Sequence, residues 1–234
     1  MKLYFFTMLG MLALTALGEA GAESNQNAAS IEQIGEGQLA TVDQAGSFTA
    51  NRAEIRQEGT DNEAEIDQSG SEAHNEASIA QDGAHNSATI SQTGVGTVNE
   101  SDVTQIGTEN GALILQQGAG GFNFASVSQQ GGTNQAAITQ NFLGALTQDN
   151  SATIIQNGDR NSAAIEQEGS GHEADIEQNG DDNSGKILQS DDNQKAVLKQ
   201  FGDNNSWKIE QFGPASDIKV EQYGSGGGFA IQQF

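Results

Sequence analysis

In a series of eighteen units along this chain an isoleucine, valine or leucine stands two residues before a glutamine, and most of those glutamines recur every 11 or 13 residues. No other feature constrains the fold as much, because each short unit must bury its apolar face against copies of itself. The first six pairs are Ile31/Gln33, Val42/Gln44, Ile55/Gln57, Ile66/Gln68, Ile79/Gln81 and Ile90/Gln92. Val103/Gln105, Ile114/Gln116, Val127/Gln129, Ile138/Gln140, Ile154/Gln156 and Ile165/Gln167 follow. The series closes with Ile176/Gln178, Ile187/Gln189, Leu198/Gln200, Ile209/Gln211, Val220/Gln222 and Ile231/Gln233.

Written around the glutamine, the unit reads Asn-x-Ala-x-Ile-x-Gln-x-Gly, as in Asn62, Ala64, Ile66, Gln68 and Gly70, or Asn161, Ala163, Ile165, Gln167 and Gly169. These residues share one parity. In a strand alternate side chains face the same way, so Ala, Ile and Gln line an inner face and the charged and hydroxyl residues between them take the outer one. A helix is excluded, since positions two apart lie on opposite sides of it. Gly and Asn fall at the unit ends, where backbone of positive φ is needed to turn the chain.

From Gln33 to Gln140 the glutamine spacing alternates between 11 and 13 residues, so odd and even units are joined by different arcs and the repeating object is a pair of strands. Nine such pairs stacked at roughly 4.8 Å predict an all-β, two-sheet solenoid of strand-arc-strand rungs, roughly 40 Å tall. One 16-residue step follows Gln140 and carries an irregular stretch, 141–149; from Gln156 onward every step is 11. The expected organisation is a first repeat block over 23–140, an inserted loop over 141–149, and a second block over 150–234, continuous with the first or hinged at the loop.

The N-terminus has Lys2, an apolar run from Leu3 to Leu17 and an Ala20-Gly21-Ala22 sequence, the layout of a secretory signal peptide over 1–22. The apolar run is shorter than a membrane span needs, and no other segment of the sequence reads as one. Cysteine is absent, so disulfides and zinc-thiolate sites are excluded.

A lone rung buries too little, one Ile and one Ala per strand, to offset the entropy of ordering its backbone. Hydrogen bonds to the rungs on either side, and Gln and Asn amides bonded along the stack, must make up the difference. Every rung therefore needs neighbours, and the terminal rungs expose strand edges that invite another molecule into an amyloid-like polymer.

Asn-x-Ala-x-Ile-x-Gln-x-Gly, repeated behind a signal peptide in a chain rich in Gly, Asn and Gln, resembles the curlin repeats of bacterial curli fibres over roughly residues 27–234. The resemblance implies a secreted subunit, exported unfolded through a dedicated outer-membrane pore and polymerised at the cell surface into functional amyloid for adhesion and the biofilm matrix. It implies a second curlin subunit and outer-membrane secretion and assembly proteins as partners, and gives the inward Gln and Asn control of nucleation and elongation. Curlins include a major fibre subunit and a minor nucleator. The Ala-x-Ile-x-Gln phrasing is similar to the minor subunit, while the greater length and the 141–149 insertion depart from both.

With 9 basic and 32 acidic residues the chain carries a net charge of −23, which repels nucleic acid and anionic membrane surfaces. The stacking register places Asp43 beside Asp67 and Glu32 beside Arg56. Two carboxylates 4.8 Å apart repel by about 0.9 kcal/mol in water before screening, so acidic columns are expected to slow assembly at low salt. Residues 181–234 differ, with five lysines against eight acids. Glu177, Lys199 and Glu221 should alternate in one column, and the residue after Gln is aromatic in the last four units: Phe201, Phe212, Tyr223 and Phe234. Trp207 and Phe229 replace the inward Ala, so a bulkier core is expected at this end, either as local packing or as a surface that nucleates folding or docks the next subunit.

No catalytic, cofactor or metal site is expected. His74, His85 and His172 fall in or beside the arcs with no nucleophile at a recognisable spacing and read as solvated turn residues. Asp181/Asp182 and Asp191/Asp192 flank turns, and the calcium-binding β-roll nonapeptide is absent. Two other readings share parts of the pattern. A monomeric β-solenoid adhesin or ice-binding protein would have the repeat, but ice-binding faces need uniform Thr columns. A disordered Gln/Asn-rich polymer would need no register.

Overall fold

Inward residues of a single parity close two parallel sheets on one another in a computed structural model that describes residues 13–17, 27–47, 50–71, 74–119, 121–141 and 149–234. One sheet holds β1 (Ala13–Leu17), β3 (Leu39–Ser47), β5 (Glu63–Ser71), β7 (Ser87–Val95), β9 (Gly111–Ala119), β11 (Gln135–Asn141), β13 (Ser162–Ser170), β15 (Ser184–Asp192), β17 (Ser206–Gln211) and β19 (Gly228–Gln233). The other holds β2 (Ala28–Glu36), β4 (Arg52–Thr60), β6 (His74–Ala84), β8 (Val98–Thr108), β10 (Phe122–Gly132), β12 (Asn150–Asn157), β14 (Glu173–Asn179), β16 (Lys195–Phe201) and β18 (Asp217–Tyr223). The chain alternates between sheets at every arc, and each strand pairs with the second one along: a two-sheet β-solenoid, with no helix among the described residues.

Register never slips, because a one-residue shift would turn every Ile and Gln outward. Gln33 pairs with Gln57, Gln57 with Gln81, and Ile31, Ile55 and Ile79 follow one another in the same way. The solenoid is also continuous across the insertion. β10 pairs with β12, setting Gln129 on Gln156, and β11 pairs with β13, setting Gln140 on Gln167. Residues 142–148 lie outside the described residues. The expected leader lies outside them as well except for β1, whose backbone pairs with β3 from Ala13↔Leu39 to Leu17↔Asp43.

The core is a double column of Ile, Val and Leu flanked by Ala, and Ile66, Ile90, Ile114, Ile138 and Ile165 are wholly shielded. It loosens towards its ends, where Ile31 and Ile231 are only partly buried. The bulkier core expected at the C-terminal end is not realised as such. Trp207, on β17 beneath β19, is half-buried and packs against the core, but Phe229 is 68% exposed, because β19 is the last strand of its sheet and has no rung beyond it to cover an inward side chain.

The arcs leading out of the even-numbered strands share one backbone solution. Nine glycines from Gly35 to Gly224 take φ between +101° and +128°, and the residue two places on takes φ between +51° and +74°. A Cβ at Gly83 would stand 1.9 Å from the carbonyl oxygen of Gly107 in the next rung, so the glycine column permits both the turn and the close stacking of arcs. The second position is filled by Asp61, His85, Glu109, Thr133, Arg160, Asp182 and Asn204 as well as by glycine. Thr133, β-branched at φ +59°, is the most strained of these.

Two substitutions in these arcs should move stability in opposite directions in urea unfolding followed by circular dichroism. Gly83→Ala should cost about 2 kcal/mol or more, through contact with the Gly107 carbonyl and strained φ. Thr133→Gly should leave stability unchanged or raise it by up to about 1 kcal/mol, since the relief of strain opposes the entropy of the added glycine.

Candidate functional site

A primary amide has two N–H groups and one carbonyl, and burying it is costly unless all are bonded. Each inward glutamine meets that demand with one geometry. Its Nε2 donates to Oε1 of the glutamine in the next rung, from Gln33 through Gln57, Gln81, Gln105, Gln129, Gln156 and Gln178 to Gln200 in one sheet. In the other sheet the line runs from Gln44 through Gln68, Gln92, Gln116, Gln140, Gln167 and Gln189 to Gln211, and all these bonds are 2.6–3.0 Å long. The same Nε2 also donates across the core to a carbonyl beside the start of the facing strand, as Gln57 does to Leu39 (3.1 Å), Gln105 to Ser87 (3.1 Å) and Gln167 to Ser151 (2.9 Å). One amide thus ties a rung both to its successor and to the opposite sheet.

Asparagine makes the second ladder, at each arc, as expected of amides bonded along the stack. Asn86 donates from its backbone N and its Nδ2 to Asn62 Oδ1 (3.0 and 3.1 Å), and Nδ2 also donates to the Gly107 carbonyl (2.9 Å). Asn110 and Asn134 repeat the pattern. The opposite arc carries Asn75, Asn99, Asn123 and Asn150, linked Nδ2 to Oδ1 at 2.8–3.3 Å. In the sequence these asparagines stand six residues before thirteen of the eighteen glutamines.

The ladders are directional and open at both ends. Gln33 Oε1 is buried without a donor among the described residues. At the other end Gln222 reaches only the carbonyl of Tyr223, at 3.4 Å, and Gln233 is exposed. Of the predicted ladder and zipper residues, the interior ones are brought together in columns, while Gln33, Gln222, Ile31 and Ile231 are only partly covered.

The outer faces carry the charge columns predicted from the register. Asp43 lies on Asp67, and burial, together with Asp43 and Glu65, raises the Asp67 carboxyl above its usual range. Asp102 and Asp175 are raised too, mainly by burial. Glu32 meets Arg56 at 3.6 Å, Lys186 meets Glu166 at 2.9 Å, and Lys199 pairs with Glu177. Glu221 lies in register with Lys199 but forms its ion pair with Lys219, at 2.8 Å on its own strand. The aromatic residues stack as expected: Phe201 on Tyr223 at 5.1 Å and Phe212 on Phe234 at 6.0 Å, with Trp207 tilted on Phe229 at 6.0 Å.

His74 and His85 are exposed, but His172 is not a solvated turn residue: it is 1% exposed, standing where the Asn ladder would place its next member. Among the described residues no group of three or more His, Cys, Asp or Glu could hold a metal ion, and no helix is long and apolar enough to cross a membrane.

The curlin associated repeat is matched over residues 49–74, 59–94, 73–107, 147–180 and 180–213, more than half of the chain. No curated protein matches it.

Gln105→Ala should lower stability by at least about 2 kcal/mol, because it removes the donor to Gln129 Oε1 and the acceptor of Gln81 Nε2 and leaves a cavity. Gln130→Ala, on the exposed side of the same sheet, should change it by less than about 0.5 kcal/mol. Urea midpoints of the two variants measure the difference.

Proposed function

The chain belongs to the curlin-repeat family, and from that premise we propose that it is a secreted structural subunit that polymerises end to end into curli-type extracellular amyloid, serving adhesion and the biofilm matrix. The observation that carries this reading is the pair of open ladder ends. Once removal of the leader frees the edge of β3 that β1 covers, a second copy whose β2 and β3 followed β18 and β19 would set Gln33 on Gln222 and Gln44 on Gln233, giving the orphaned Gln33 Oε1 its donor. It would also lay Ala40 over the exposed Phe229 and supply backbone partners to both terminal strands. Residues 1–22 would be the export leader, and a second curlin subunit and outer-membrane assembly proteins the partners.

The aromatic stacks and the Lys199–Glu177 pair favour a second reading, that of a minor nucleating subunit. Interactions between rungs are attractive at the C-terminal end, while the Asp43–Asp67 pair opposes stacking near the N-terminal end. Under that reading the C-terminal rungs would fold first and template the rest.

Thioflavin T kinetics on the chain diluted from denaturant, with fibre diffraction on the product, test the proposal. The expected outcome is a lag, growth whose lag is removed by seeds, and a reflection at about 4.8 Å along the fibre axis. A β-rich monomer that stays soluble for days would refute polymerisation and favour a self-contained adhesin. In the same assay, deletion of 201–234 should lengthen the lag under the nucleating reading and leave it unchanged if the aromatic end is only packing.

A further inference from the structure

The arc between β13 and β14 holds a feature that fibre formation does not use. The buried column Asn75, Asn99, Asn123 and Asn150 continues into His172, whose backbone N donates to Asn150 Oδ1 at 3.1 Å. Its ring lacks the amide's pair of N–H groups and bonds differently. Nε2 lies 3.2 Å from the Glu168 carbonyl oxygen and 3.1 Å from that of Asp191, both acceptors. Nδ1 lies 3.4 Å from the backbone N of Gln194, a donor. This arrangement suits only the neutral ring with its proton on Nε2, because a proton on Nδ1 would point at another N–H.

We propose that His172 is an acid switch in the ladder: protonation at Nδ1 on mild acidification breaks its bond to Gln194 and loosens the solenoid at this arc. The ring has little room to turn away, since even a Cβ on Gly169 would stand 3.1 Å from Nε2. The charged groups around it do not compensate. Asp192 Oδ1 is held by Ser170 Oγ at 2.6 Å, Asp191 Oδ2 by the backbone N of Gly213 at 2.6 Å, and Glu173 is ion-paired with Lys195. Glu168 presents its backbone carbonyl to the ring, and the remaining neighbours in the column, Asn150 and Gln194, are uncharged. Burial outweighs the hydrogen bonds to the Glu168 and Asp191 carbonyls and the attraction of the Asp192 and Asp191 carboxylates, and lowers the ring's pKa below its ordinary value.

The sign of the linkage follows. Between the ordinary value of 6.5 and the lower folded value, the unfolded chain binds a proton that the folded chain refuses, so stability falls as pH falls through this window. From about pH 7.5 to about pH 5.5 the folding equilibrium constant should drop through this one group, by at most about tenfold. The raised carboxyls of Asp67, Asp102 and Asp175 act in the opposite sense: their penalty, present at neutral pH, is relieved as pH falls through their folded values. The weakening at His172 and the relief at these three carboxyls therefore fall in separate pH windows.

Urea midpoints measured between about pH 7.5 and about pH 5.5 test the proposal on wild type and His172→Asn, the substitution that restores the ladder residue. Wild type should lose stability by up to about tenfold in its equilibrium constant, and His172→Asn should lose measurably less. His74→Asn, at an exposed histidine, is the control for loss of an imidazole elsewhere in the chain. A His172→Asn curve parallel to wild type would overturn the switch. Should that variant fail to fold, the imidazole ¹⁵N resonances of folded wild type decide: Nδ1 must protonate with a midpoint below about 6.5, and a midpoint at or above that value would refute the proposal. These readouts concern the folded chain, so failure to polymerise would sink the fibre reading while leaving this one standing.

Discussion

A buried primary amide must place both of its N–H groups, and the rest of this architecture follows from where they go. One hydrogen of each glutamine runs along the stack and the other crosses to the facing sheet, as in Gln105, which bonds Gln129 and Ser87. An aliphatic side chain would fill the space without fixing register, because a hydrocarbon column tolerates sliding. Asparagine is one methylene shorter and serves at the arcs, where its carbonyl sits against the next backbone N–H, as Asn62 Oδ1 does with Asn86 N. Glutamine inside and asparagine at the turn are thus two solutions to one problem of satisfaction at two distances from the backbone.

The stack also makes demands on the arcs. Rungs can approach to hydrogen-bonding distance only if nothing projects between them, and the Gly35-to-Gly224 column removes the Cβ that would meet the carbonyl above. Two residues on, the chain accepts non-glycine residues of positive φ at several arcs. The backbone N–H there bonds the previous rung, Asp61 to Glu36 and Thr133 to Thr108, so lateral hydrogen bonds hold a conformation that local preference opposes.

Much of this was legible beforehand because a strand's period of two is readable in any repeat that holds its parity. The sheet number, the register of Gln on Gln, the Asp43–Asp67 and Glu32–Arg56 columns and the aromatic pairs all followed from counting residues. Continuity across 141–149 did not, since only the pairing of β10 with β12 decides it. The exposure of Phe229 was misjudged because parity says which way a side chain points and nothing about whether a further rung covers it. His172 was misjudged for a related reason: proximity to an arc suggested solvent, whereas its place six residues before Gln178 put it in the buried column.

Charge and ladder pull in different directions, and their distribution sets the balance. The acids face outward, so the net −23 acts on an unfolded or isolated chain as a solubilising field and on a stacked one as a repulsive column. Where lysines interleave with glutamates, at Glu173–Lys195 and Glu177–Lys199, the same outer face changes from opposing the stack to supporting it. The inward amides have no such variability: their bonds are equivalent from Gln44 to Gln211, whatever lies outside. A chain built this way can vary its outer residues to tune how readily it stacks, while the inner columns leave little freedom in how it stacks. His172, the only fully buried ionisable side chain among the described residues, is correspondingly the place where a change of pH can reach the core.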